Sequence, residues 1–145
     1  MTDVMPLNPV EQHERLSEIT ARIVETMPAG WTRAVIRGLV VGGHTESRSG
    51  VKMPDGSVQG WSFRPEIWRM FMDLRAGMYV PGTGTWVGFE YVLDPPGRFK
   101  IQFTRDEDPK FETAPSSADF ALENRRYPRS ADTMSDWFRA GLGAD

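Results

Sequence analysis

The chain has no cysteine, which excludes disulfides, thiolate nucleophiles and cysteine-ligated metals. Histidine is scarce: His13 and His44 are the two present. Neither sits within a spaced set of ligands, so no zinc centre is expected. No apolar run approaches the roughly 20 residues that span a bilayer. The first apolar residues are interrupted by Asp3, Pro6, Asn8 and Pro9 and followed by Glu11, so no secretory leader is expected either. Lysine is nearly missing, with 3 against 14 arginines. Arginine suits bidentate pairing with carboxylates on a protein-facing surface, although a GC-rich genome produces the same bias. A net charge of −3 and a pI near 5.4 argue against a dedicated nucleic-acid binder. The expectation is a soluble cytoplasmic protein with no cofactor, no nucleic-acid partner and no membrane partner.

What is present fits one domain of 145 residues, 39% hydrophobic and 26% charged, long enough to bury about two-thirds of its unfolded surface. Its most organised stretch is Met78–Arg105. Two β-type runs there, Thr85–Leu93 and Arg98–Phe103, flank the turn Asp94-Pro95-Pro96-Gly97. In the first run, Trp86, Gly88, Glu90 and Val92 alternate with Val87, Phe89, Tyr91 and Leu93. In the second, Phe99, Ile101 and Phe103 alternate with Arg98, Lys100 and Gln102. Period-2 alternation with one apolar side predicts an antiparallel hairpin at the heart of a sheet.

Around it, Leu16, Ile19, Ile23 and Met27 recur at helical spacing and predict an amphipathic helix over about 9–27, ended by Pro28. Thr20 borders its apolar stripe as a mild weakness. Trp31–Val41 reads as a strand stopped by Gly42-Gly43, and Glu46–Met53 as a weaker, polar one. Asp55-Gly56 supports a tight turn into a strand Val58–Phe63. Pro65 opens a helix over about 65–78, carrying Ile67, Phe71, Leu74 and Met78. Ser116 or Ser117 can cap a helix over about 116–127, and a last helix covers about 133–142, with fraying beyond it. The order α-β-β-β-α-β-β-α-α predicts a single α+β domain over 1–145: an antiparallel sheet of about five strands (about 31–63 and 85–105) with helices packed on one face.

Chemical motifs are few. Gly82-Thr83-Gly84 lacks the following helix and third glycine of a dinucleotide loop and the lysine of a phosphate loop. Ser47 and Ser49 lie near His44, but no serine stands in a nucleophile elbow. Asp55, Asp108 and Lys110 spell the letters of a metal-dependent nuclease, which needs two carboxylates on Mg²⁺ and a lysine beside the attacking water. Asp55 heads a turn, however, and Pro109 interrupts the second half of the pattern. The acidic cluster Asp106, Glu107, Asp108 and Glu112 is either a solvated loop or a patch aimed at a basic partner. Trp61 and Trp68 are candidate apolar anchors for such a partner.

Taken in order, several short motifs carry a resemblance. They are an N-terminal helix leading into Pro28-Ala29-Gly30-Trp31, Leu74-Arg75 followed by Gly84-Thr85-Trp86, and Gly97-Arg98-Phe99-Lys100-Ile101-Gln102-Phe103. The acidic Asp106–Asp108 comes next, then Tyr127-Pro128-Arg129 with Asp136-Trp137. On these residues, across about 14–139, the chain resembles the YezG-like immunity proteins, antitoxins of bacterial polymorphic toxins. The resemblance implies a non-enzymatic protein that binds a cognate toxin domain and occludes its active site. It brings no catalytic residues. The competing expectations are the nuclease above and a small-molecule binder with a pocket between helices and sheet.

Overall fold

The computed structural model describes residues 5–143. Asp3, one of the interruptions that argue against a leader, and the chain's last two residues, expected to fray, lie outside them. The first helix, α1 (Pro9–Val24), begins at a reciprocal cap. The Asn8 side chain accepts from the Glu11 N–H at 2.8 Å, and the Glu11 carboxylate accepts from the Asn8 N–H at 3.0 Å, so two otherwise orphaned donors are satisfied. The helix stops short of Met27. The amides of Thr26 and Met27 bond back to the Ile23 and Val24 carbonyls as turns, because Pro28 disfavours helical backbone just before it.

Strand β1 (Arg33–Val41) turns through Gly42-Gly43 into β2 (His44–Lys52), which pairs with the short β3 (Val58–Gly60). Helix α2 (Pro65–Gly77) comes next, then the hairpin of β4 (Gly88–Asp94) and β5 (Arg98–Thr104), and finally α3 (Ser117–Arg126) and α4 (Asp136–Gly143). The result is the single α+β domain expected, with one five-stranded antiparallel sheet in the order β3-β2-β1-β4-β5. The β4–β5 hairpin is therefore not at the heart of the sheet. β1 is central, being the strand whose Ala34, Ile36, Val40 and Val41 are all buried, and β5 is an edge.

Two further expectations fail for local reasons. β3 ends at Gly60 rather than Phe63, because the chain leaves the ladder to lay Trp61 and Phe63 against the helical side of the core. Trp86 does not share a solvent face with Glu90. It is 2% exposed, since regular pleating starts only at Gly88, and its ring lies 5.4 Å from Phe89 and 5.3 Å from Phe103.

Helices α1 and α2 cover one face of the sheet through Leu16, Ile19, Ile23, Ile67, Phe71 and Leu74. Helices α3 and α4 close one end of it, where Phe120 and Phe138 meet Val41 and Val87. Gly42, at φ +58°, lets the β1–β2 turn lie directly on the α3 backbone at Asp119, where any Cβ would collide. Among the described residues no helix is long and apolar enough to cross a membrane.

Thr20 is not a weakness in α1. Its hydroxyl, 5% exposed as a residue, meets the Tyr91 hydroxyl at 2.6 Å inside the core. Burial pushes the Tyr91 hydroxyl up to about 12, against a smaller opposing effect of the Thr20 bond. The unfolded tyrosine ionises near 10 and the folded one later, so stability is lost as pH rises through that window, on the order of 2 kcal/mol by its upper end. Denaturant titrations at pH 8 and pH 11 should show this loss. Tyr91→Phe should flatten it while costing about 1–2 kcal/mol at pH 8 through the orphaned Thr20 hydroxyl.

Candidate functional site

Strand pairing sorts the side chains of the sheet's second face, which α1 and α2 leave uncovered and which α3 and α4 meet only at its Val41 end. Arg37 stands beside Arg48 on one side and Glu90 on the other, Val35 beside Gly50 and Val92, and Arg33 beside Lys52 and Asp94. β5 adds Arg98, Lys100, Gln102 and Thr104, and β3 adds Val58. This face presents six cations, Arg33, Arg37, Arg48, Lys52, Arg98 and Lys100, against three acids, Glu46, Glu90 and Asp94. It is basic on a chain whose net charge is −3. The one aromatic ring of the five strands on it is His44, which bonds Glu46 and packs edge-on against Phe111 at the strap end.

The acidic segment expected to meet a partner lies on this same face. After β5 the chain folds back as a strap over one end of the sheet. Pro109 is buried there, near Gly88, and its carbonyl accepts from Arg37 Nη2 at 3.1 Å. The Glu46 carboxylate accepts from the amides of Glu112 at 2.8 Å and Thr113 at 3.1 Å, and Glu112 pairs with Arg48. Asp106 takes a two-pronged bond from Arg105, and its carbonyl accepts from the Trp137 indole at 2.6 Å. Asp108 accepts from the Lys110 amide at 2.9 Å and holds Lys110 at φ +65°. Of the four acids, then, Asp106, Asp108 and Glu112 are engaged within the chain. Glu107 is exposed, and no ion pair of the described residues includes it.

The remaining candidates do not converge. Trp61 and Trp68 are half-buried on the opposite, helical side, in a run of rings through Phe63 to Phe89 at centroid distances of 6.1–6.3 Å. Asp55 sits in the β2–β3 turn, where it accepts from the Ser57 amide and hydroxyl. Roughly 20 Å of β2 separates that turn from the strap, so Asp55 cannot share a metal ion with Asp108, nor Lys110 serve it. Among the described residues no group of three metal-capable side chains forms. The depressions of the surface open on the uncovered face and beside the strap, and none of those resolved lies between α1 or α2 and the sheet.

Beneath the strap lies a buried polar network that sequence reasoning missed. Arg75 on α2 is 4% exposed and Glu123 on α3 is 1% exposed, and the two form an ion pair. Arg75 also donates to the Trp86 carbonyl at 2.6 Å, while Glu123 accepts from the Gly42 amide at 3.0 Å. The Thr85 hydroxyl donates to the Arg75 carbonyl at 2.7 Å. Arg129 donates to the Thr85 carbonyl at 3.0 Å, with its guanidinium 4.4 Å from the centre of the Phe138 ring and 3.8 Å from Asp106. Burial lowers the Arg129 pKa, opposed by the nearby charges of Asp106 and Glu123. Arg75, Thr85-Trp86, Asp106, Arg129 and Trp137 are distant in sequence and all belong to this network or its cover.

The sequence does carry a signal for the basic face. Arg33, Val35 and Arg37 alternate, as do Arg48, Gly50 and Lys52, and Arg98 and Lys100. Read strand by strand they are ordinary solvated positions, and only the pairing makes them one surface. No protein-family model matches the chain, and no curated protein matches it.

Two outcomes test these arrangements. Glu123→Gln keeps an acceptor for Gly42 but leaves the Arg75 charge buried and uncompensated, which should cost about 3–5 kcal/mol in denaturant unfolding. The double replacement Arg75→Met with Glu123→Leu should recover part of that loss. For the strap, the His44 side-chain bond holds the Glu46 carboxyl below its usual range, with the Thr113 amide acting the same way against desolvation. The carboxylate's hold on the strap is therefore lost only as pH falls through that lowered value. The amide shifts of Glu112 and Thr113 should titrate together with a midpoint below the usual glutamate value of about 4.3, and His44→Ala should raise it.

Proposed function

We propose that this chain is an immunity protein that neutralises a cognate bacterial toxin domain by binding it and occluding its active site. The observation that carries the reading is the uncovered sheet face. Strands of seven to nine residues at the usual strand spacing make it on the order of 500 Å². With its rim that approaches the roughly 800 Å² which one partner contributes to a standard stable interface. β1, β2, β4 and β5 are tied to a packed core on their other side, and a patch held in this way loses little entropy on docking. The resemblance to YezG-like immunity proteins supports the same reading, since residues from its separated motifs converge on one buried network.

In this reading the strap and the open part of the face have different roles. Asp106, Asp108 and Glu112 are committed to the strap, so the acidic cluster is not a free patch, and Glu107 alone is available from it. Trp61 and Trp68 serve the opposite side. The contact residues we favour are Arg37 and Lys52, neither in an ion pair among the described residues, with Val35 and Val58 beside them.

Affinity capture with the tagged chain from lysate of its source organism, followed by mass spectrometry, tests the reading. The expected result is a stoichiometric partner ending in a toxin-like domain, and co-expression of the two should restore growth that the toxin alone suppresses. A bait that stays clean in cells shown to express the candidate toxin would overturn it.

A further inference from the structure

We infer that the uncovered face takes an acidic segment of the partner protein, with one apolar side chain of that segment seated between carboxylates. This rests on the reading of that face as the docking face, and it adds the chemistry of what docks. A shallow depression of about 430 Å³ lies over β1, β2 and β3. Its floor is Val35, Gly50 and Val58, and Arg33, Arg37, Arg48 and Lys52 stand around it with Glu90. Val58 is 72% exposed, the least covered large apolar residue of the sheet. Arg33 is held by Asp94 at 2.8 Å and Arg48 by Glu112. Among the described residues, neither Arg37 nor Lys52 is in an ion pair.

The chain's own strap shows what the face accepts. At the other end of the same surface an acidic segment is already seated, with Pro109 as its buried apolar contact, Arg37 donating to its backbone and Arg48 pairing with Glu112. The open half offers the same components: an apolar floor bounded by guanidinium and ammonium groups. Two other occupants fit this face less well. A second copy docking through the same face would set like charges against each other, which is unfavourable. Single-stranded nucleic acid binds through stacking on aromatic rings, and the one ring of the strands on this face, His44, is already engaged by Glu46 and Phe111 at the strap end.

The probes are two blocked pentapeptides, Glu-Glu-Leu-Glu-Glu and Lys-Lys-Leu-Lys-Lys, and a twelve-residue oligothymidylate, titrated into the full ¹⁵N-labelled chain and followed by amide shifts. The acidic peptide should move the amides of Val35, Arg37, Arg48, Gly50, Lys52 and Val58, saturating in roughly the low-millimolar range. Raising salt to shrink the Debye length from about 10 Å to about 3 Å should weaken it severalfold. Lys52→Glu and Val58→Glu, both at exposed positions, should each weaken it at least about fivefold with an unchanged melting temperature. Shifts elsewhere, equal binding of the basic peptide, tighter binding of the oligothymidylate at this face, or an affinity indifferent to Lys52→Glu would each overturn the inference. A captured toxin whose binding ignores Lys52→Glu overturns this inference and leaves the immunity reading intact. Acidic-peptide binding at this face without any toxin partner has the opposite consequence.

Discussion

The Glu123 carboxylate is the constraint on which the placement of the other parts depends. One oxygen takes the Arg75 guanidinium from α2 and the other takes the Gly42 amide from the β1–β2 turn. Both carboxylate oxygens are thereby satisfied inside the protein, which is the condition for keeping such a charge 1% exposed. Three elements distant in sequence are fixed relative to one another by this single side chain. The glycine is part of the same device, because only a residue without a Cβ allows the turn to approach α3 closely enough for its amide to reach Glu123. A hydrophobic contact could hold α3 against the sheet end as firmly, but not at one defined register.

With α3 held in place, the segments on either side of it are placed too. Arg129, just beyond that helix, reaches back to the Thr85 carbonyl, and α4 brings Trp137 under the Asp106 carbonyl. The strap is thus anchored at its start by the buried network and at its far end by Glu46 and Arg48 on the sheet. Its acids neutralise one end of a basic surface, and the other end keeps its cations free. A chain of net charge −3 can carry a locally positive face in this way, since the field at a surface is set by the charges within about a Debye length.

The fold class and the number and order of the elements are legible in the sequence because the core is regular. The stripe Leu16, Ile19, Ile23 and the alternation Phe89, Tyr91, Leu93 each point one way, and each is buried as its period implies. Legibility fails where a residue's environment comes from another part of the chain. Arg75 and Glu123 look like solvated helix positions, and nothing local says that each is the other's partner 48 residues away. Thr20 looks like a flaw because the Tyr91 hydroxyl that completes it is 71 residues distant. β1 reads as one strand among several, although its central place depends on which neighbours it recruits.

The candidate site shows the same asymmetry with a sharper consequence. In sequence the acidic run stands out because its charges are consecutive, whereas the alternating cations of the basic face come from three separate strands and read as one surface only once those strands pair. Consecutive acids are also the ones a chain can most readily use on itself, since a loop returning over its own sheet reaches any cation there at little entropic cost. Cations spread across paired strands form a surface wider than one loop can cover. The strap engages Arg48, Glu46 and one guanidinium nitrogen of Arg37 and stops there, leaving Lys52 and Val58 exposed. Val58 stays exposed beside Lys52, which among the described residues forms no ion pair, and the acidic partner segment we infer would cover the one and pair with the other.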